Sequence, residues 1–223
     1  TALIANTTGA ENISVGSLAL GDNTTGSQNT AVGMCALHTN TTCGNLTAVG
    51  YGALKLNSTG TNDTAMGHAS LDANTSGSDN VGFGTNTLGA NTSGGNNTAV
   101  GACALFANTT GAENTAVGKS AGVANTTGCR FTAVGFESGK AHTTGIENSL
   151  FGRKSGLALT TGDNNTFIGS YSGVTQTTAD NNTGVGKSVL AANTSGAGNT
   201  AVGMQALDAN TTASNNTAIG LNS

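Results

Sequence analysis

Large apolar residues return along this chain every seventeen positions, always in the same polar company. Val15, Val32, Val49, Met66, Phe83, Val100, Val117, Val134, Phe151, Ile168, Val185, Val202 and Ile219 each precede a glycine, and no insertion or deletion disturbs the spacing. One unit reads Gly-x-x-Ala-Leu-x-x-Asn-Thr-Thr-Gly-x-x-Asn-Thr-Ala-Val, as from Gly101 to Val117. Fixed-period self-similarity marks a stack of units, each touching only its neighbours. Thr-Ala-Val has the β-branched, alternating character of a short half-buried strand, with Thr and Val on one face and Ala on the other. The bulkier face is read as the interior. This makes Val32, Val49, Val100, Val117, Val134, Ile168 and Val202 the core ladder and Val117→Asp a strongly destabilising change.

A second apolar ladder runs through Leu3, Leu20, Leu37, Leu54, Leu71, Leu88 and Leu105 and resumes at Leu190 and Leu207, and it is read as a second strand. The Asn-Thr-Thr-Gly and Gly-x-x segments between them supply corners, since Gly and Asn tolerate positive φ. No helical spacing is sustained. The expected fold is therefore all-β, a parallel β-roll or β-solenoid of seventeen-residue turns. Residues 1–223 form one continuous array of twelve full turns, with partial turns at both ends as in a fragment of a longer chain, and residues 118–185 form a variant repeat subtype. Two large apolar side chains per turn contribute ~3 to 6 kcal/mol against ~1 to 2 kcal/mol of ordering for each residue, which calls for a second buried surface. The small strand Ala offers one, and the expected assembly is a homotrimer or another lateral self-association.

Composition narrows function by exclusion. Charged residues are 8% of the chain and the net charge is −4, so there is no electrostatic case for nucleic acid. No apolar run is long enough for membrane insertion. The acidic residues are scattered over the repeat, and no nucleophile–base set or phosphate loop recurs, so neither enzymatic activity nor a cofactor is expected. Cys35, Cys43, Cys103 and Cys129 are read as unpaired: Cys35 and Cys103 share a phase four turns apart, roughly 19 Å at ~4.8 Å per turn, beyond disulfide reach. His38, His68 and His142 lie at three different phases, so no metal site is expected.

The phrase Asn-Thr-Ala-Val-Gly-x-x-Ala, as in Asn29 to Ala36 and Asn199 to Ala206, resembles the head repeats of trimeric autotransporter adhesins. The seventeen-residue form is similar to repeats of phage and viral tail-fibre proteins. The adhesin unit is shorter, so the Asn-Thr-Thr-Gly corner is extended here. The resemblance covers essentially the whole chain. It implies a left-handed parallel roll, trimeric, extracellular on a cell or virion surface, and used for attachment.

The variant block carries the candidate chemistry. Between Gly118 and Val185 the Leu ladder gives way to Gly122, Gly139, Gly156 and Gly173, and Leu150 and Phe167 replace the strand Ala. Lys119, Phe136, Arg153 and Lys187 follow the marker glycines, with Glu137, Lys154 and Tyr171 one place later. Stacked turns align these seven into an axial stripe of cations and rings suited to an acidic surface polysaccharide. Asn6, Asn23, Asn57, Asn108 and Asn193 are Asn-x-Thr/Ser acceptors and possible glycosylation sites. The expected function is a structural shaft or adhesive fibre that attaches to a surface receptor or glycan. The alternatives are an ice-binding β-solenoid, suggested by the paired Thr columns, and a purely structural filament or appendage subunit.

Overall fold

The computed structural model describes residues 1–223. It is an all-β parallel solenoid whose turns of about seventeen residues each contribute one three-residue strand. The chain divides into two compact units. Unit 1, residues 1–113, holds β1 (Ile13–Val15), β2 (Thr30–Val32), β3 (Thr47–Val49), β4 (Thr64–Met66), β5 (Val81–Phe83) and β6 (Thr98–Val100). Unit 2, residues 114–223, holds β7 (Thr115–Val117), β8 (Thr132–Val134), β9 (Ser149–Phe151), β10 (Thr166–Ile168), β11 (Thr183–Val185), β12 (Thr200–Val202) and β13 (Thr217–Ile219). Within each unit successive strands pair in parallel at an offset of one repeat, so that Ala48 lies on Ala31 and Ala133 on Ala116.

Backbone bonding between turns extends well beyond the strands. Leu37 N–H donates to Ala53 O at 3.0 Å, Thr24 N–H to Thr41 O at 2.8 Å and Gly50 N–H to Val32 O at 2.8 Å. Four places in each turn rest on left-handed backbone: the marker glycine, the residue two places after it, such as Glu137 at φ 54°, the ladder Leu, such as Leu37 at φ 52°, and the residue two places before the strand, such as Gln28 at φ 62°. The expected second strand is thus absent. The Leu ladder is interior, but it sits in a left-handed corner that strand propensity does not register.

The strand faces are inverted relative to the sequence expectation. Ala31, Ala48, Ala65, Ala99, Ala116, Ala133 and Ala201 are fully buried. The expected core ladder points outward: Val117, Ile168 and Val202 are 36%, 43% and 37% exposed, and Val32, Val49, Val100 and Val134 are half-buried. The cause is the narrowness of the turn. The inner strand residue meets the Ala-Leu corner at close range: a Cβ built on Gly82, which holds that place in β5, lies 2.5 Å from Ser70 Oγ and 3.4 Å from Leu71 Cδ1. Val there would overpack the core. The small Ala therefore faces inward and offers no approach to another chain.

Asparagine fills the rest of the interior. At the Asn-Thr-Thr-Gly corner, Asn91 Nδ2 donates to Asn74 Oδ1 at 2.9 Å and to Gly94 O at 2.9 Å, and Asn108 repeats this onto Asn91 at 2.8 Å. A second ladder precedes the strand, where Asn97 Nδ2 donates to Asn80 Oδ1 at 3.1 Å and Asn80 Nδ2 to Gly94 O at 3.0 Å. Buried amides hold the stack because nearly every donor and acceptor is met within the turn or by its neighbour, the exception being Asn40 Oδ1.

The variant block fills its interior by exchanging positions. A Cβ on Gly139 would lie 2.5 Å from Phe131 Cζ, one on Gly156 2.8 Å from Leu150 Cδ1, and one on Gly173 2.5 Å from the Phe167 ring. Leu has left the corner, and Phe or Leu reaches across from the strand side to fill the space.

Two rungs of the ladders titrate. His142 replaces a corner Asn: its Nδ1 bonds Asn125 Oδ1 at 3.0 Å, its Nε2 bonds Asn148 Nδ2 at 3.2 Å, and its ring stacks on Phe131 at 4.0 Å. Burial lowers its pKa from 6.5 to about 4. Asp63 replaces an Asn of the second ladder and accepts from Asn80 N–H at 2.8 Å and Asn74 Nδ2 at 3.1 Å, and burial raises its pKa from 3.8 to about 7. The two act oppositely through linkage. Asp63 contributes stability that is present below its ordinary 3.8 and lost as pH rises through about 7, because only the unfolded chain releases the proton in between. His142 contributes stability present above 6.5 and lost as pH falls through about 4, because only the unfolded chain takes up the proton. Going from pH 7 to pH 5, amide exchange corrected for intrinsic rate should slow around Asp63 and quicken around His142. Asp63→Asn should abolish the first effect.

Candidate functional site

The outer stripe of unit 2 lies at the corner that follows each strand. The marker glycine turns the chain, and the left-handed residue two places on turns it again, so the two residues after the glycine both project outward. Backbone bonds pin successive corners in register: Glu137 N–H donates to Lys119 O at 3.0 Å, Lys154 N–H to Phe136 O at 2.9 Å and Tyr171 N–H to Arg153 O at 3.0 Å. Lys119, Phe136, Arg153 and Lys187 are exposed, and Glu137, Lys154 and Tyr171 are half-buried.

The side chains form one connected cluster with free cations on either side. The Arg153 guanidinium carbon lies 5.1 Å from the Tyr171 ring centre and Lys154 Nζ 5.9 Å from it. Lys154 Nζ also approaches Glu137 Oε2 at 3.6 Å, and Lys140 Nζ meets Glu137 Oε1 at 2.8 Å. The Lys140 hydrogen bond holds the Glu137 carboxyl below its usual range. Sequence reasoning omitted Lys140, although its spacing of three from Glu137 signals the pair. Lys119, Arg153 and Lys187 have no carboxylate partner.

The sheet face of each unit carries Thr and Val outward, and in unit 2 it lies beside this stripe. Exposed apolar residues on these faces include Phe83 in unit 1, at 53%, and Phe151 and Ile168 in unit 2, at 39% and 43%. The sequon asparagines are placed differently from the glycosylation expectation. Asn23, Asn57, Asn108 and Asn193 are fully buried, and their Nδ2 atoms donate to Gly26, Gly60, Gly111 and Gly196 carbonyls. Asn6 Nδ2 likewise donates to Gly9 O at 2.9 Å. A glycan on any of these nitrogens would have to break the interior ladder. All four cysteines are free thiols, and no group of three His, Cys, Asp or Glu side chains is gathered as a metal site requires. No family model, curated protein or solved structure matches the chain.

Proposed function

We propose that this chain is a segment of a structural shaft or adhesive fibre displayed outside the cell, on a cell or virion surface, with a surface receptor or glycan as its attachment partner. The observation that carries the reading is register: within each unit every turn lies on the next residue for residue, so any outward side chain is repeated as an axial column. A small-ligand site gathers different residues around one concavity, whereas columns present extended surface to an extended partner. Surface labelling of intact producing cells or virions with antibody to this chain tests the display; signal only after permeabilisation would refute it. A displayed protein that binds no surface would be a purely structural filament subunit.

The finer architecture in this reading is a left-handed roll assembled as a homotrimer. Its support is the outward apolar surface of each unit, Phe83 in unit 1 and the neighbouring Phe151 and Ile168 in unit 2, which another copy would remove from water. Light scattering should give three chains per particle, and Phe151→Asp with Ile168→Asp should reduce this to one.

Ice binding is favoured as a second reading by one feature. Outward Thr30 and Val32, Thr47 and Val49, and Thr132 and Val134 stand two residues apart on one face, giving parallel ranks of hydroxyl and methyl groups. Thermal hysteresis at micromolar protein would establish it, and ordinary crystal growth at the melting point would dismiss it.

A further inference from the structure

One outward residue per turn along the stripe alternates in kind: Lys119, Phe136, Arg153, Tyr171, Lys187, or cation, ring, cation, ring, cation. Tyr171 stands one place late because Ser170 holds the residue after Gly169. Turns joined as parallel strands rise ~4.8 Å, so the cations recur at ~9.6 Å with a ring midway. Such a spacing is close to the length of one disaccharide in an extended polysaccharide. The three cations have no carboxylate partner, since Glu137, the one acidic group on the stripe, is engaged by Lys140 and Lys154. The stripe is therefore strongly positive on a chain whose net charge is −4.

We propose that this stripe binds a linear acidic polysaccharide in which charged and uncharged sugars alternate. The inference rests on the attachment reading above and names its partner. Carboxylate or sulfate groups on alternate sugars pair with Lys119, Arg153 and Lys187, and Arg153 offers the two-pronged donor geometry that an oxyanion accepts. The intervening sugars lay their apolar C–H faces on Phe136, which is 42% exposed, and beside Tyr171. Stacking over Tyr171 restrains Arg153 before ligand arrives, which lowers the ordering cost of binding. Nucleic acid fits poorly: its charges recur every ~3.4 Å along each strand and would outnumber the aligned cations severalfold.

Hyaluronan oligosaccharides, with one carboxylate per disaccharide, serve as the probe for calorimetry or interferometry on the full chain at low salt. Polygalacturonate, which is acidic at every sugar, uncharged dextran and single-stranded DNA serve as comparators. Hyaluronan should bind more tightly than all three. The combined Lys119→Gln, Arg153→Gln, Lys187→Gln variant should weaken it about tenfold, since each exposed charge pair is worth a few-fold. Phe136→Ala should weaken it without changing the slope against salt, because no charge is removed. Three results each overturn the proposal: no hyaluronan binding by the native chain, equal or tighter binding of polygalacturonate or DNA, or unchanged affinity in variants whose circular dichroism is native. Surface labelling is unaffected by these substitutions, so the display reading stands or falls separately.

Discussion

Gly135→Ala is expected to destabilise unit 2 by more than about 3 kcal/mol, combining a φ that side chains avoid with a backbone clash. Gly135 has φ 133°, and a Cβ there would lie 2.5 Å from Gly152 O and 2.6 Å from Gly152 C. The clashing atoms are main chain, and Gly152 N–H is itself held by Val134 O at 2.8 Å, so the neighbouring turn has little freedom to move aside. The informative control is Gly52, which has φ 66° and nothing within 4 Å of a built Cβ. Asn86 occupies the same phase at φ 53°, so Gly52→Asn should leave the denaturation midpoint nearly unchanged. Equal midpoint shifts for the two variants would contradict this account of the corner.

Ala133→Asp should cost about 4 kcal/mol or more, because it places a carboxylate without a partner on the fully buried inner face between Ala116 and Leu150. In the dissociated single chain, Val117→Asp, on the outer face, should cost about 1 kcal/mol or less, through lost strand propensity. Urea titration of the two variants reads the orientation of the strand directly. A larger loss for Val117→Asp would mean that the outward face is covered in solution, as an assembly through that face would require.

Much of the fold is legible in the sequence, and the missing part has a physical origin. The period, the in-register stacking and the Thr-Ala-Val strands follow from spacing alone, and β2, β3 and β8 fall where that phrase occurs. Which strand face is inside does not follow. Alternation gives parity without direction, and side-chain bulk points the wrong way because the interior holds Ala, Leu and Asn. The needed signal lay in the variant block. Leu150 and Phe167 replace the strand Ala while Gly156 and Gly173 replace the corner Leu. Size exchanged between two places in the repeat marks them as facing one another, so the strand Ala had to be interior. The apolar residue that follows Gly122, Gly156 or Gly173, namely Val123, Leu157 or Val174, is half-buried on the far side of a left-handed corner. The asparagine ladders follow from the period too, since stacking identical turns puts Asn over Asn, but their full burial does not, because an Asn in a Gly-rich corner is indistinguishable by type from a solvated turn residue. The stripe was legible residue by residue, since an axial column needs only the period, whereas the contacts of Arg153 with Tyr171 and of Glu137 with Lys140 required coordinates.

The amide ladders bear on how such a chain can change length. Where Asn bonds Asn, as from Asn74 through Asn91 to Asn108, one surface of a turn offers the amide donor and the other the acceptor, so any two such turns are complementary, and one duplicated or lost by recombination leaves these ladder bonds with partners. Rungs of mixed kind are not interchangeable. Gln176 reaches across the interior, donating to Asn165 and Ala179 and accepting from Asn182 and Asn193, and His142 joins Asn125 to Asn148 in the same way. Moving either turn elsewhere would strand a donor or acceptor. The uniform stretches are thus free to expand and contract in whole repeats, while the turns around His142 and Gln176 keep a fixed order.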